Sequence, residues 1–170
     1  MRTLSLRDLA LIAATISALL QAGAQLFAVV IIVGTVTAAP PRSLAMLGGE
    51  YGYNSSPFWD VMPMVTLVLL LVALATNWKT PRRRLILGAV VAFVVAGLFT
   101  ALVMGPVQAE VVAVGYSDTV DGALRARAAW WHTLDLISWA LILVVGLILS
   151  VALATQAPDH DSALDRGSSP

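Results

Sequence analysis

The feature that most constrains this chain is a run of 28 residues, Leu9 to Val36, without a single charged side chain. About 20 apolar residues, rising 1.5 Å each, are enough to cross the hydrocarbon core of a bilayer. Three further runs follow: Val61 to Thr76, bracketed by Trp59 and Trp78; Leu85 to Met104; and Ala128 to Ala157, interrupted only by His132 and Asp135. The second run is short, but its two tryptophans stand where interfacial aromatic belts belong. Inside lipid every backbone polar group must be bonded within its own segment, so each run is a helix. The sequence thus predicts an all-α fold, an integral membrane bundle of four transmembrane helices. It forms one domain over residues 1–157, with spans at about 9–36, 59–78, 85–104 and 128–157. Residues 158–170 form a polar tail with too few apolar groups to fold, and disorder is expected there.

Composition closes off the alternatives. Apolar residues make up 59% of the 170 and charged residues 12%, where soluble domains average about 45–50% and about 25%. Such a chain cannot cover a water-soluble globule with polar groups. It has no cysteine, which excludes disulfides, thiolate metal sites and thiol redox chemistry. Ten basic and ten acidic residues cancel, so no basic field points to nucleic acid. A cleaved signal peptide is the rival reading of the first run, with Arg2 and Arg7 as its basic start. A signal core is only about 7–15 residues long, however, and this run also carries Gln21 and Gln25.

Orientation follows from the basic loops. Arg2, Arg7, Lys79, Arg82, Arg83, Arg84 and Arg166 lie on one side, leaving Arg42, Arg125 and Arg127 on the other. The positive-inside rule then predicts a multi-pass protein of the cell membrane with both termini cytoplasmic.

Small residues recur at every fourth position, a spacing that lets helix backbones approach closely in lipid. Span three carries two such ridges, Gly88-Ala92-Ala96-Thr100 and Gly97-Ala101-Gly105, span one has Ala10-Ala14-Ala18-Ala22, and span four has Gly146-Ser150-Ala154. Two ridges on one helix predict that span three is central to the bundle.

Polar residues within spans are costly and are functional suspects by default. His132 and Asp135 are three apart and so share a helix face. A carboxylate beside an imidazole makes a candidate general base or proton relay. Trp131 and Trp139, four residues either side of Asp135, offer aromatic walls for a flat ligand. The bland alternatives are that His132 belongs to an interfacial belt and that Asp135 pairs with Arg127 or a neighbouring helix. Gln25, Gln108 and Glu110 complete the candidate ligand-binding set, although Gln21 and Gln25 also read as plain interhelical hydrogen bonders. His132, Asp135, Glu110 and Asp60 offer hard metal ligands, but the paired Glu-x-x-His pattern of carboxylate-bridged centres is missing, and no metal or other cofactor is expected.

The order of landmarks resembles a family of small four-helix bacterial and fungal membrane proteins, largely a domain of unknown function and labelled anthrone-oxygenase-like. The resemblance rests on Gly23-Ala24-Gln25-Leu26-Phe27, Pro40-Pro41, the basic link before span three, Thr100 with Gly105-Pro106-Val107-Gln108, and Trp131-His132-Thr133-Leu134-Asp135. Gln108 stands where the family usually has Asn, and Asp135 where it usually has Arg, which reverses the local charge. The resemblance implies a four-helix membrane fold and, for a few members, oxidation of a tricyclic anthrone by dioxygen without a recognisable cofactor motif.

Two functions follow as expectations. The first is a membrane protein, open to assembly as a homo-oligomer, that binds a small hydrophobic or aromatic molecule or lipid in an outward-facing polar pocket. The second is a cofactor-poor oxygenase of anthrone-type polyketides, with His132 as base, Asp135 orienting it, and Gln108 or Gln25 holding the oxyanion.

Overall fold

The computed structural model describes residues 4–155. Four helices in it are long and apolar enough to cross a membrane: α1 (Leu6–Val36), α2 (Ser56–Thr76), α3 (Arg83–Ala113) and α4 (Gly122–Ala154). The chain is thus an all-α bundle of the kind its apolar runs require. The tail expected to be disordered, 158–170, lies outside the described residues.

Helix starts follow local chemistry. Ser5 caps α1, its hydroxyl accepting from the Asp8 N–H, and Asp121 caps α4 by accepting from the N–H groups of Ala123 and Leu124. That second cap starts α4 six residues before the expected position. On α3, Gly105-Pro106 does not end the helix near Met104 as expected. A wider π-helical turn over Thr100–Met104 precedes the proline, which then falls in the first turn of a fresh α segment, Gly105–Ala113, where no N–H is needed. The segment between α3 and α4, residues 105–127 by the expected spans, therefore shrinks to residues 114–121. A second π-helical turn, Ala28–Val33, interrupts α1 at a run of β-branched residues, which are weak helix formers.

The helices form a ring in which α1 and α3 occupy opposite corners, each packed against both α2 and α4. At one end the start of α1 and the end of α4 meet the α2–α3 link. Arg82 there donates to Asp8 Oδ1 and to the Thr155 carbonyl, both at 2.7 Å, and Asn77 donates to the Arg7 carbonyl. The other end carries the two longer loops, and these are tied together by an Asp121 N–H bond to the Pro40 carbonyl.

Span three is not the centre. Of the apolar stretch of α1, 39% is buried, against 33% for α4 and 22% for α3. The ridge that packs is that of α1, whose Ala10, Ala14, Ala18 and Ala22 are all buried, facing the close approach of Gly146 on α4 to Leu19. On α3 only Ala96 of the first ridge is deeply buried, and Gly97 faces open space. Large side chains such as Leu20, Val68, Leu98 and Leu147 point outward, as a lipid-facing surface requires.

The core is in two apolar parts. Leu11, Ala14, Leu70, Ile86, Val145 and Leu149 fill the terminal half, and Val36, Leu44, Val107, Val111, Trp131 and Leu134 fill the loop half. Between them lies a layer of polar side chains, and this layer positions the candidate site.

Candidate functional site

The polar layer is built from side chains on all four helices. From α1, Gln25 Nε2 donates to Asp135 Oδ1 at 3.2 Å and to Ser138 Oγ at 3.0 Å. Ser138 is bonded in turn to Thr100 of α3, with 2.9 Å between the hydroxyl oxygens. One turn along α1, Gln21 Oε1 accepts from Thr66 of α2, which is also bonded to Ser17. A carboxylate only accepts, so the Asp135 contact fixes which way the Gln25 amide points. Such interhelical bonds contribute about 0.6 kcal/mol each on average in membranes, and their larger effect is to hold these side chains in one arrangement.

Above the layer opens a cavity of about 920 Å³. Gln21, Phe93 and Ile142 line its deep end, Gln25, Thr100, Asp135 and Ser138 its polar wall, and Val33, Val36, Met104 and Trp131 its apolar walls. Both π-helical turns border it, which is where such turns are frequently found. The loop after α1 covers the mouth with Glu50, Tyr53 and Asn54. That loop is self-bonded: Leu44 is buried beneath it, the Tyr53 N–H donates to the Met46 carbonyl at 2.9 Å, and Ser43 bonds back to Val36.

Gly52 makes this loop possible. A Cβ there would lie 2.6 Å from the carbonyl oxygens of both Leu47 and Gly48. These are backbone atoms and cannot rotate away. Gly52→Ala is expected to open the loop at a cost of about 1–3 kcal/mol, read as faster amide exchange at Tyr53 while the amides of α1 and α4 keep their protection. Equal protection of Tyr53 in both proteins would refute this packing.

The structure separates the residues singled out by sequence. Asp135 and Gln25 are buried, bonded to one another and at the cavity wall. Trp131 is a buried wall residue whose indole N–H has no partner among the described residues, and Gln108 sits at the exposed rim. Glu110 is outside the cavity wall and exposed, paired with Arg127 at 2.6 Å. Arg127 is thereby taken, so of the two structural alternatives for Asp135, a pair with Arg127 or a bond to a neighbouring helix, the second is the one that forms.

His132 and Trp139 depart from expectation. Neither lines the cavity, both are half-buried, and His132 makes no side-chain hydrogen bond among the described residues. At about 100° per residue, His132 points about 60° round α4 from Asp135, and Trp139 about 80° from Trp131. The partner of Asp135 is Gln25, from the adjacent helix α1, rather than a neighbour on its own helix.

Ser138 and Thr100 are the site residues that sequence reasoning missed as polar participants. The signal was present for Ser138: Trp131, Asp135 and Ser138 recur at i, i+4 and i+7, which is one helix face. Thr100 reads in sequence as a small residue of a packing ridge, with nothing local to mark it as a bonding partner. Comparison with protein-family profiles, with curated proteins and with solved structures gives no match for this chain. What places it is the fold itself: four apolar helices able to span a bilayer, closed around one polar layer.

Proposed function

We propose that this membrane protein binds a small, largely apolar molecule bearing a polar group, held in the cavity above the polar layer. The observation that carries this reading is Asp135. It is only 7% exposed, stands at the wall of a cavity of about 920 Å³ and, among the described residues, has a hydrogen-bond donor on only one of its two oxygens. A carboxylate at that depth is expensive to maintain, and structure alone does not require it, since Gln25 and Ser138 bond to each other without it. The volume suits a small-molecule site, and an apolar enclosure with a few convergent polar groups is the usual form of one.

The anthrone-oxygenase-like reading asks for more. It needs a base in contact with the substrate, and His132, the residue chosen from sequence, is off the cavity wall. Binding is therefore the reading that the geometry supports better.

The test uses 1-aminoanthracene, a neutral flat fluorophore that brightens in apolar enclosures, with the full chain purified in dodecyl maltoside. Saturable binding with energy transfer from tryptophan is expected, and Gly97→Trp should abolish it by filling the cavity from a position whose Cβ meets nothing within 4 Å. Non-saturable uptake, or saturable binding that Gly97→Trp leaves unchanged, overturns the reading.

A further inference from the structure

The charges around the cavity are of one sign. Glu50, Asp60 and Asp135 line it, and no Lys, Arg or His among the described residues does. The basic side chains nearest in the chain to Asp135 are spoken for or turned aside: Arg127 is held by Glu110, and His132 is off the wall. Asp135 is thus an acid more than nine-tenths buried, with an amide donor and, among the described residues, no ion pair, His132 acting on it only from a distance. Buried charges are ordinarily paired, because an unpaired one in a low-dielectric site is strongly disfavoured. Aromatic rings stand around the same space, Trp131 and Phe93 within it and Tyr53 and Trp59 toward its mouth, and ring faces attract cations that have been stripped of water.

The cavity also opens toward lipid. The helix Met62–Thr76 packs on the first half of α3, Arg83–Phe99, whereas the start of α2 and the second half of α3, which lie at the loop end, are not closely packed. Trp59, Asp60 and Pro63 line one side of the gap, and the exposed Gly97, Ala101 and Gln108 line the other. A molecule dissolved in the bilayer has a route in that passes a carboxylate at the rim before it meets the buried one.

We infer that the occupant of this cavity is a hydrophobic cation, an amphiphilic amine or quaternary onium compound whose charge is met by Asp135 and whose apolar bulk fills the aromatic-walled space. This rests on the binding reading above and narrows it to one charge class. The three carboxylates supply the attraction, with the rim pair gathering the cation and the buried one holding it. A neutral molecule of the same shape gains only the apolar contacts, and an anion is repelled at both levels.

Tetraphenylphosphonium and tetraphenylborate have nearly the same size and shape and opposite charge, so they separate charge from burial. Equilibrium dialysis of each against the full chain in dodecyl maltoside, corrected for protein-free micelles, is the measurement. Saturable phosphonium binding is expected, with tetraphenylborate at the micelle background. Asp135→Asn, which keeps an acceptor for Gln25, should weaken phosphonium binding by about tenfold or more. Because that variant touches the buried layer, a second one guards against misfolding: Glu50→Gln with Asp60→Asn alters exposed rim positions only and should weaken binding by a smaller factor. Borate binding as tight as phosphonium, or phosphonium binding indifferent to all three substitutions, overturns the inference. Saturable 1-aminoanthracene with no phosphonium binding sinks the charge assignment and leaves the binding reading intact, whereas failure of both probes removes both.

Discussion

Gly146→Leu is expected to destabilise the bundle by about 1–3 kcal/mol or more, the range for overpacking a close contact, while Gly146→Ala costs well under that. The Cβ of any residue at 146 would lie 2.6 Å from Leu19 Cδ2 and 3.2 Å from its Cγ. Leu19 is 41% exposed, so its side chain can swing into lipid to admit one methyl group. A leucine has no such escape, because the α1 backbone at Leu19 N is only 3.9 Å from that Cβ. The α1–α4 approach would have to widen, and with it the packing of Ala14 and Ala18, both fully buried. In lipid there is no hydrophobic driving force to offset the lost contact, since the tails are as apolar as the side chains. Gly97→Leu is the control: nothing lies within 4 Å of its Cβ, and it should leave stability nearly unchanged. Loss of helicity on titration with sodium dodecyl sulfate reads all three. Equal loss at Gly97 and Gly146 would mean that α1 and α4 are not the tightly joined pair.

The second large effect concerns the polar layer and has an asymmetry that identifies it. Gln25→Leu removes the only side-chain donor to Asp135 among the described residues and leaves a buried carboxylate uncompensated, a change that in buried ion pairs costs about 3–5 kcal/mol. Asp135→Asn retains an oxygen for the Gln25 amide and removes the charge, so its effect on stability should be small or favourable. The double variant Gln25→Leu with Asp135→Leu should recover most of what the first single change loses, because two matched apolar residues replace a polar pair. A cycle over Gln25→Leu, Asp135→Leu and the double variant, read by the same unfolding titration, gives the coupling directly. Additive losses would mean that Gln25 and Asp135 do not meet in the folded protein. The opposite ordering, with Asp135→Asn worse than Gln25→Leu, would mean that the negative charge itself stabilises the bundle.

The spans were legible in the sequence because the requirement behind them is local. A run of apolar residues in lipid must satisfy its own backbone, and no neighbour can do this for it. The same locality hides the role of Asp121: its capping depends on where the helix begins, and the apolar run by itself begins six residues later, at Ala128. The extent of α3 escapes a local reading for a related reason. Gly105-Pro106 is ordinarily a stop, and only a π-helical turn ahead of it lets the helix continue. Nothing in residues 100–106 taken alone chooses between these outcomes.

What the tertiary structure decided is which polar and which small residues matter. Asp135 and Gln25 were both marked by their cost within a span, but they are 110 positions apart in the chain, and their meeting depends on how α1 and α4 are rotated about their axes. His132 is three residues from Asp135, and proximity in sequence suggested a pair. The rotation of α4 that turns Trp131, Asp135 and Ser138 inward carries His132 and Trp139 aside. Small residues are ambiguous in the same way. The alanines of α1 let a neighbouring helix come close, whereas Gly97 and Ala101 of α3, equally small and equally regular in spacing, border an empty space. A missing side chain leaves room, and only the packing of the whole bundle determines whether a helix or a cavity takes it.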